Sequence, residues 1–153
     1  MAISKEVFSG VVIIVAVVIF LGFIFINKNL QETEDTKQDK LLETQEWAQI
    51  EIKDIRTGTE FKILDFKDKP ILLESFAVWC PICKKQQEEI RKLHQKIGDK
   101  FISISLDTDA SEDEEKVREH VEKNGFDWYY VISPSSMTKS LIDEFGTGII
   151  NAP

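Results

Sequence analysis

Cys80 and Cys83 are the only two cysteines in this 153-residue chain, and they stand in the stretch Trp79-Cys80-Pro81-Ile82-Cys83-Lys84. Two thiols at i and i+3 on the first turn of a helix can close a disulfide. The first of them lies at the exposed end. Its thiolate there faces unpaired backbone N–H groups and the positive end of the helix dipole, which lower a thiol pKa. Lys84 and Lys85 add positive charge nearby. Cys80 is therefore the expected nucleophile toward a disulfide of another molecule. Cys83 is the expected resolving thiol, which displaces the mixed disulfide and leaves Cys80–Cys83 oxidised. Pro81 restricts the backbone at the helix start and removes one N–H, which tunes the thiolate.

Other uses of the pair are weaker. Two cysteines are too few for a framework that staples a small fold. They are also half of a four-ligand zinc site, and His94 and His120 lie on predicted helices far from them in sequence. Two inert structural cysteines are the plain alternative. The strand–CxxC–helix context with a preceding tryptophan argues against it.

The elements that must position the pair are legible from periodicity. Ile50–Ile55 reads as a short strand, Thr57-Gly58 as a turn and Glu60–Leu64 as a returning strand. Asp68-Lys69-Pro70 breaks the chain. Ile71–Val78 is a nearly continuous apolar run, the pattern of a central strand buried on both faces. The cysteines follow directly, at the head of a helix whose apolar stripe is Cys83, Ile90, Leu93 and Ile97, with Gly98 as its stop. Phe101–Leu106 is the next strand. Ser111–Glu114 fits a capping box for a helix carrying Val117 and Val121 and ending at Gly125. Trp128–Ile132 is a third core strand. Ser133-Pro134 opens a last helix with Met137, Leu141 and Phe145 on one face. Strands alternating with helices predict an α/β layered domain over residues 47–153.

The amino-terminal part is different in kind. Val7–Ile26 is 20 residues without a charge. As a helix it would span about 30 Å, the thickness of a bilayer's hydrocarbon core. The run is longer than a signal-peptide core, and its end is bulky where cleavage would need small residues. Residues 1–27 are thus expected to be an uncleaved membrane anchor in contact with lipid through residues 7–26, and residues 28–46 a polar linker. Lysines on the two sides do not set the orientation. Placing the domain on the extracytoplasmic side of the cell membrane rests on where disulfide exchange is needed. The net charge of -8 argues against nucleic acid as a partner.

Trp79-Cys80-Pro81-Ile82-Cys83 after Ile71–Val78, followed by two lysines and a long helix, resembles the thioredoxin superfamily. The anchor, the early hairpin and the extra helix between the second and third core strands resemble its membrane-anchored TlpA/ResA-like branch. The resemblance covers roughly residues 47 to 153. It implies a thioredoxin-like sheet flanked by helices and protein-disulfide exchange without an organic cofactor. It also implies protein thiol and disulfide clients and a membrane electron-transfer partner. It assigns Glu74, six residues before Cys80, as a buried acid assisting proton transfer at Cys83. It assigns Trp79 as a cover and client contact. It calls for a cis-proline facing the disulfide, for which Pro153 is the candidate. Members that mature cytochromes often carry Glu three residues after the second cysteine, where this chain has Gln86. The family's final two strands and last helix have no counterpart here, so the chain is expected to be truncated near Pro153, with an exposed sheet edge. Two rival functions are a peroxiredoxin-like peroxide reductase and an anchored binding module without redox turnover.

Overall fold

The computed structural model describes residues 19–26 and 42–149, which fall in two units divided after Leu41. Residues 19–26 are helical. The rest of the expected anchor, the linker through residue 41, and Pro153 lie outside the described residues. No helix among the described residues is long and apolar enough to cross a membrane.

The second unit opens with a short helix, α1 (Glu46–Gln49), and an antiparallel hairpin of β1 (Glu51–Lys53) and β2 (Glu60–Lys62). Gly58, at φ 75°, takes the left-handed conformation that its turn requires. β2 ends two residues earlier than its apolar pattern predicts. Asp65 Oδ2 accepts the N–H of Lys62 at 2.8 Å, and the chain closes into a 3₁₀ turn over Ile63–Phe66. A short acid side chain that captures a backbone donor in this way competes with the strand ladder.

Then come β3 (Ile71–Phe76), α2 (Pro81–Ile97), β4 (Ile102–Asp107), α3 (Glu114–Asn124), β5 (Tyr129–Ile132) and α4 (Ser135–Phe145). The three strands form a parallel sheet in the order β3-β4-β5. Among the described strands β4 is therefore the middle one, with Ser103–Asp107 all buried, and the Ile71–Val78 run, expected to be central, lies beside it. β3 has one strand partner among the described residues, so Ile71, Leu72, Leu73 and Ser75 stay half-buried. On its outer side, Ser75 Oγ donates to the carbonyl of Ile149.

Strand parity sorts the core into two layers. Ile104, Leu106 and Val131 face one side and pack with Trp47, Ile52, Phe61, Met137 and Leu141. Phe76 and Tyr130 face the other and pack with Cys80, Cys83, Ile90, Val117 and Val121. The period-2 alternation of strands puts Glu74, Ser103, Ser105 and Asp107 on this second side, the side of the cysteines. Polar residues on the sheet change the helix above them. The buried stripe of α2 is Cys83, Gln87 and Ile90, and Leu93 is 37% exposed. His94 turns inward instead, stacks on Phe101 and Trp128, and shares a 2.9 Å hydrogen bond with Ser103 Oγ.

α3 starts later than the expected Ser111 box. Asp113 is its N-cap and accepts the N–H of Lys116 at 2.9 Å, while Ser111 binds back to Asp109. Gly125 closes the helix in the left-handed conformation, as its position in the sequence predicts. In equilibrium unfolding, Asp113→Ala should cost about 1 kcal/mol, the usual worth of an N-cap. Ser111→Ala should cost less. The opposite ranking would return the cap to Ser111.

Candidate functional site

The site lies where the parallel strands end at their carboxyl side, the usual place for chemistry in an open α/β sheet. β3 stops at Phe76, and a turn closed by the Cys80 N–H on the Ala77 carbonyl, at 3.1 Å, delivers the chain to α2. Cys80 is the N-cap of that helix. Its Sγ accepts the N–H of Cys83 at 3.2 Å, and Pro81 occupies the first turn, where a missing N–H costs nothing. Cys80 and Cys83 are joined in a disulfide with their Cα atoms 5.3 Å apart. The expected pairing is therefore present. The expected exposure of Cys80 is not: in this oxidised state Cys80 is 1% exposed and Cys83 5%. Trp79 and Ile82 flank them on the surface, at 66% and 49% exposed.

The loop before α3 holds this segment. Thr108 N–H donates to the Phe76 carbonyl at 3.2 Å, and Val78 N–H donates to Glu112 Oε2 at 2.8 Å. The Trp79 indole N–H donates to Asp109 Oδ2 at 2.6 Å. That bond, with those from Ser111, brings the Asp109 carboxyl down to about 2. Trp79 is thus a tethered surface ring. Asp109 and Glu112 were not expected here. The acidic run around them read as a helix start, and nothing in its spacing pointed to β3.

Asp107, at the end of β4, is another carboxyl that the sequence did not mark. It is buried, and its Oδ2 has no hydrogen-bond partner. Burial raises its pKa to about 7, the N–H of Asp109 opposes this, and the neighbouring Glu112 and Asp109 charges add to it.

Glu74 lies on β3, buried as its assigned role requires. It pairs in register with Ser105, which pairs in turn with Tyr130, so the three form a polar row across the sheet. Ser105 Oγ donates to Glu74 Oε1 at 2.5 Å and accepts the Trp128 indole N–H at 2.8 Å. Burial raises the Glu74 pKa, and Ser105 and Gln87 act against that rise. Gln87 reaches the row from α2, one turn below Cys83 on the same face. Tyr130, also buried, is driven further from ionisation by burial and by the Glu74 charge. Gln86, the position compared with cytochrome-maturing relatives, is exposed on α2, whereas its neighbour Gln87 is buried. Gln87 was missed because an amide in the polar run Lys84–Glu89 looks like helix surface. Its one signal was a spacing of four from Cys83.

A family model described as Redoxin matches residues 45–149. The chain belongs to the Redoxin family. The chain is 29% identical over 91 residues to the thioredoxin-like protein YneN of Bacillus subtilis, a match that covers 59% of this chain and 53% of that protein. It is 28% identical over 78 residues to the thiol-disulfide oxidoreductase ResA of Bacillus thuringiensis, covering 50% of this chain and 44% of that one. The chain spans about half the length of these curated relatives. Among solved structures, the thioredoxin domain of a Bacteroides vulgatus thiol-disulfide oxidoreductase superposes with a TM-score of 0.56. That match is at 23% identity over 68% of this chain and 71% of the other, and it shows a thioredoxin-like fold.

Asp107 supplies a pH test. Its folded pKa lies above its unfolded value, so its contribution to stability is complete below about pH 4 and is lost as pH rises through about 7. Asp107→Asn keeps the acceptor for Asp109 and cannot ionise. Its stability should match the parent near pH 4 and exceed it by about 2 kcal/mol at pH 8, in thermal or urea unfolding of the disulfide form. An equal stability difference at both pH values would remove Asp107 from the titration.

Proposed function

We propose that the protein is a thiol–disulfide oxidoreductase that exchanges disulfides with protein clients through Cys80 and Cys83. The observation that carries this reading is the Cys80–Cys83 disulfide at the N-cap of α2, bracketed by the exposed Trp79 and Ile82. The names of its relatives support the same chemistry.

In the reducing direction the reduced pair supplies two electrons. The Cys80 thiolate attacks one sulfur of a client disulfide, forming a Cys80–client bond and releasing the other client sulfur as a thiolate. Cys83 gives its proton to the Glu74 carboxylate and attacks Cys80 Sγ. This expels the second client thiolate and leaves Cys80–Cys83 oxidised. An external dithiol must then reduce the pair, and Glu74 returns its proton. Oxidation of a client dithiol is the same sequence reversed.

We place this domain on the extracytoplasmic side of a membrane, tethered through Val7–Ile26 and supplied by a membrane electron partner. The uncharged length of that run and the need for disulfide exchange outside the cytoplasm support this. In intact cells expressing the full chain, a membrane-impermeant maleimide should label the reduced pair. Protection until lysis would put the domain on the other side.

Turnover is tested by insulin reduction with dithiothreitol. Cys80→Ser should lower the rate at least 100-fold, to background. Cys83→Ser should accumulate a mixed disulfide on Cys80, visible by non-reducing electrophoresis. A parent chain no faster than dithiothreitol alone would sink the enzyme reading and leave a binding module. Direction follows from the potential of the pair: near about -270 mV favours a reductase, near about -120 mV an oxidase.

A further inference from the structure

The two histidines of this chain find different uses, and His120 is the one that meets the site. It is buried on α3, between Phe76, on which it stacks at 5.8 Å, and Phe126. Its Nε2 lies 2.7 Å from Gln87 Oε1. An amide oxygen accepts and cannot donate, so His120 carries its proton on Nε2. Its Nδ1 faces Asn124 Nδ2 at 3.5 Å, and Asn124 Nδ2 also donates to the His120 carbonyl at 2.7 Å. The ring therefore sits as a neutral donor. Burial lowers its pKa, and the charges of Lys84 and Lys123 add to that, so it remains neutral.

This contact fixes which way Gln87 points. With Oε1 engaged by His120, the NH₂ group of Gln87 is left without a partner of its own, and Glu74 is the carboxyl it acts on. Glu74 Oε2, Gln87 Nε2 and the Tyr130 hydroxyl are the buried polar atoms of this row without a hydrogen bond. The amide is nonetheless close enough to lower the proton affinity of Glu74. One line of donors ends on the carboxylate, from Trp128 through Ser105; a second, from His120, ends on Gln87, whose unpaired amide acts on the carboxylate without a hydrogen bond to it. The other group with a titratable proton facing Glu74 is Tyr130, whose charged form is strongly disfavoured.

We propose that His120 is a positioning residue for the redox site: by donating to Gln87 Oε1 it turns the Gln87 amide toward Glu74, and so sets how readily that carboxylate takes the proton of Cys83. The proposal rests on the reading of Cys80 and Cys83 as a redox pair. It adds a residue on a different helix, 37 positions from Cys83 in sequence, that acts through Gln87.

The test reads Glu74 directly, in the full chain, from the pH titration of its side-chain carboxyl ¹³C resonance, assigned by its loss in Glu74→Gln. His120→Leu keeps apolar volume and removes the donor. Gln87 is then free to turn away, and the Glu74 midpoint should rise by about one pH unit. His120→Gln can donate an amide N–H from nearly the same place and should restore most of the parent value. Gln87→Leu should shift the midpoint about as far as His120→Leu. The double variant should add little, since both act through one path. The pH at which the Cys80 mixed disulfide is half-maximally resolved should move with Glu74. An unmoved Glu74 midpoint in His120→Leu would overturn the proposal. So would an equal shift in His120→Gln, which would mean that the ring only packs. Thermal unfolding of each variant checks that the fold is kept. A chain that shows the Glu74 shifts but reduces no insulin rejects the redox reading and retains the coupling. A chain that reduces insulin without them does the reverse.

Discussion

The carboxyl group of Glu74 has to be accommodated inside a closed layer, and much of the site follows from that. A carboxylate without partners in such a place is costly and tends to keep its proton. Here the cost is met by one donor from the middle strand, Ser105, backed by Trp128, and eased by the Gln87 amide on the helix above, which His120 holds. Burial still prevails, and Glu74 binds its proton more readily than an ordinary glutamate. That balance suits the proposed role of Glu74, accepting a proton and returning it. A helix packed on a polar row cannot present a purely apolar stripe. This is why α2 buries Gln87 and half-buries His94 on the face where Leu93 was expected.

The segment bearing the disulfide is held from two directions. The polar row lies along the strands that lead to it. From the side, the loop before α3 holds the Val78 backbone through Glu112 and the Trp79 ring through Asp109. Three carboxyls close to one redox pair in the chain's architecture thus differ by environment alone. Asp109 is half-buried, well bonded and ionised, Asp107 is buried and titrates near neutrality, and Glu74 is buried with one donor in Ser105. Environments that separate the proton affinities of like groups are how one site assigns them different work.

Periodicity and turn chemistry made most of the architecture legible before any coordinates. The strand–Cys80–Pro81–Ile82–Cys83–helix junction, the hairpin at Gly58, the left-handed stop at Gly125 and the buried Val117, Val121, Met137 and Leu141 are all local in origin. Less legible were features in which two segments compete or meet. The apolar run through β3 implied a central strand, but burial on both faces depends on which strands lie beside it, and β4 takes that place. Ser111 offered a cap, but Asp109 draws it away and Asp113 caps the helix instead.

The sequence by itself determined the chemistry and its placement. Two thiols three residues apart, a proline between them, an apolar strand before and an amphipathic helix after are bonded neighbours, and local geometry is enough to bring them together. Tertiary structure alone decided what surrounds that pair. Strand parity and register put Glu74 beside Ser105, and helix packing set Gln87 and His120 above it. It also folded Cys80, expected at an exposed helix end, into a position that is 1% exposed while the disulfide is closed. These contacts join residues more than thirty positions apart. Their energies depend on burial, which no local stretch of sequence possesses until the layers close.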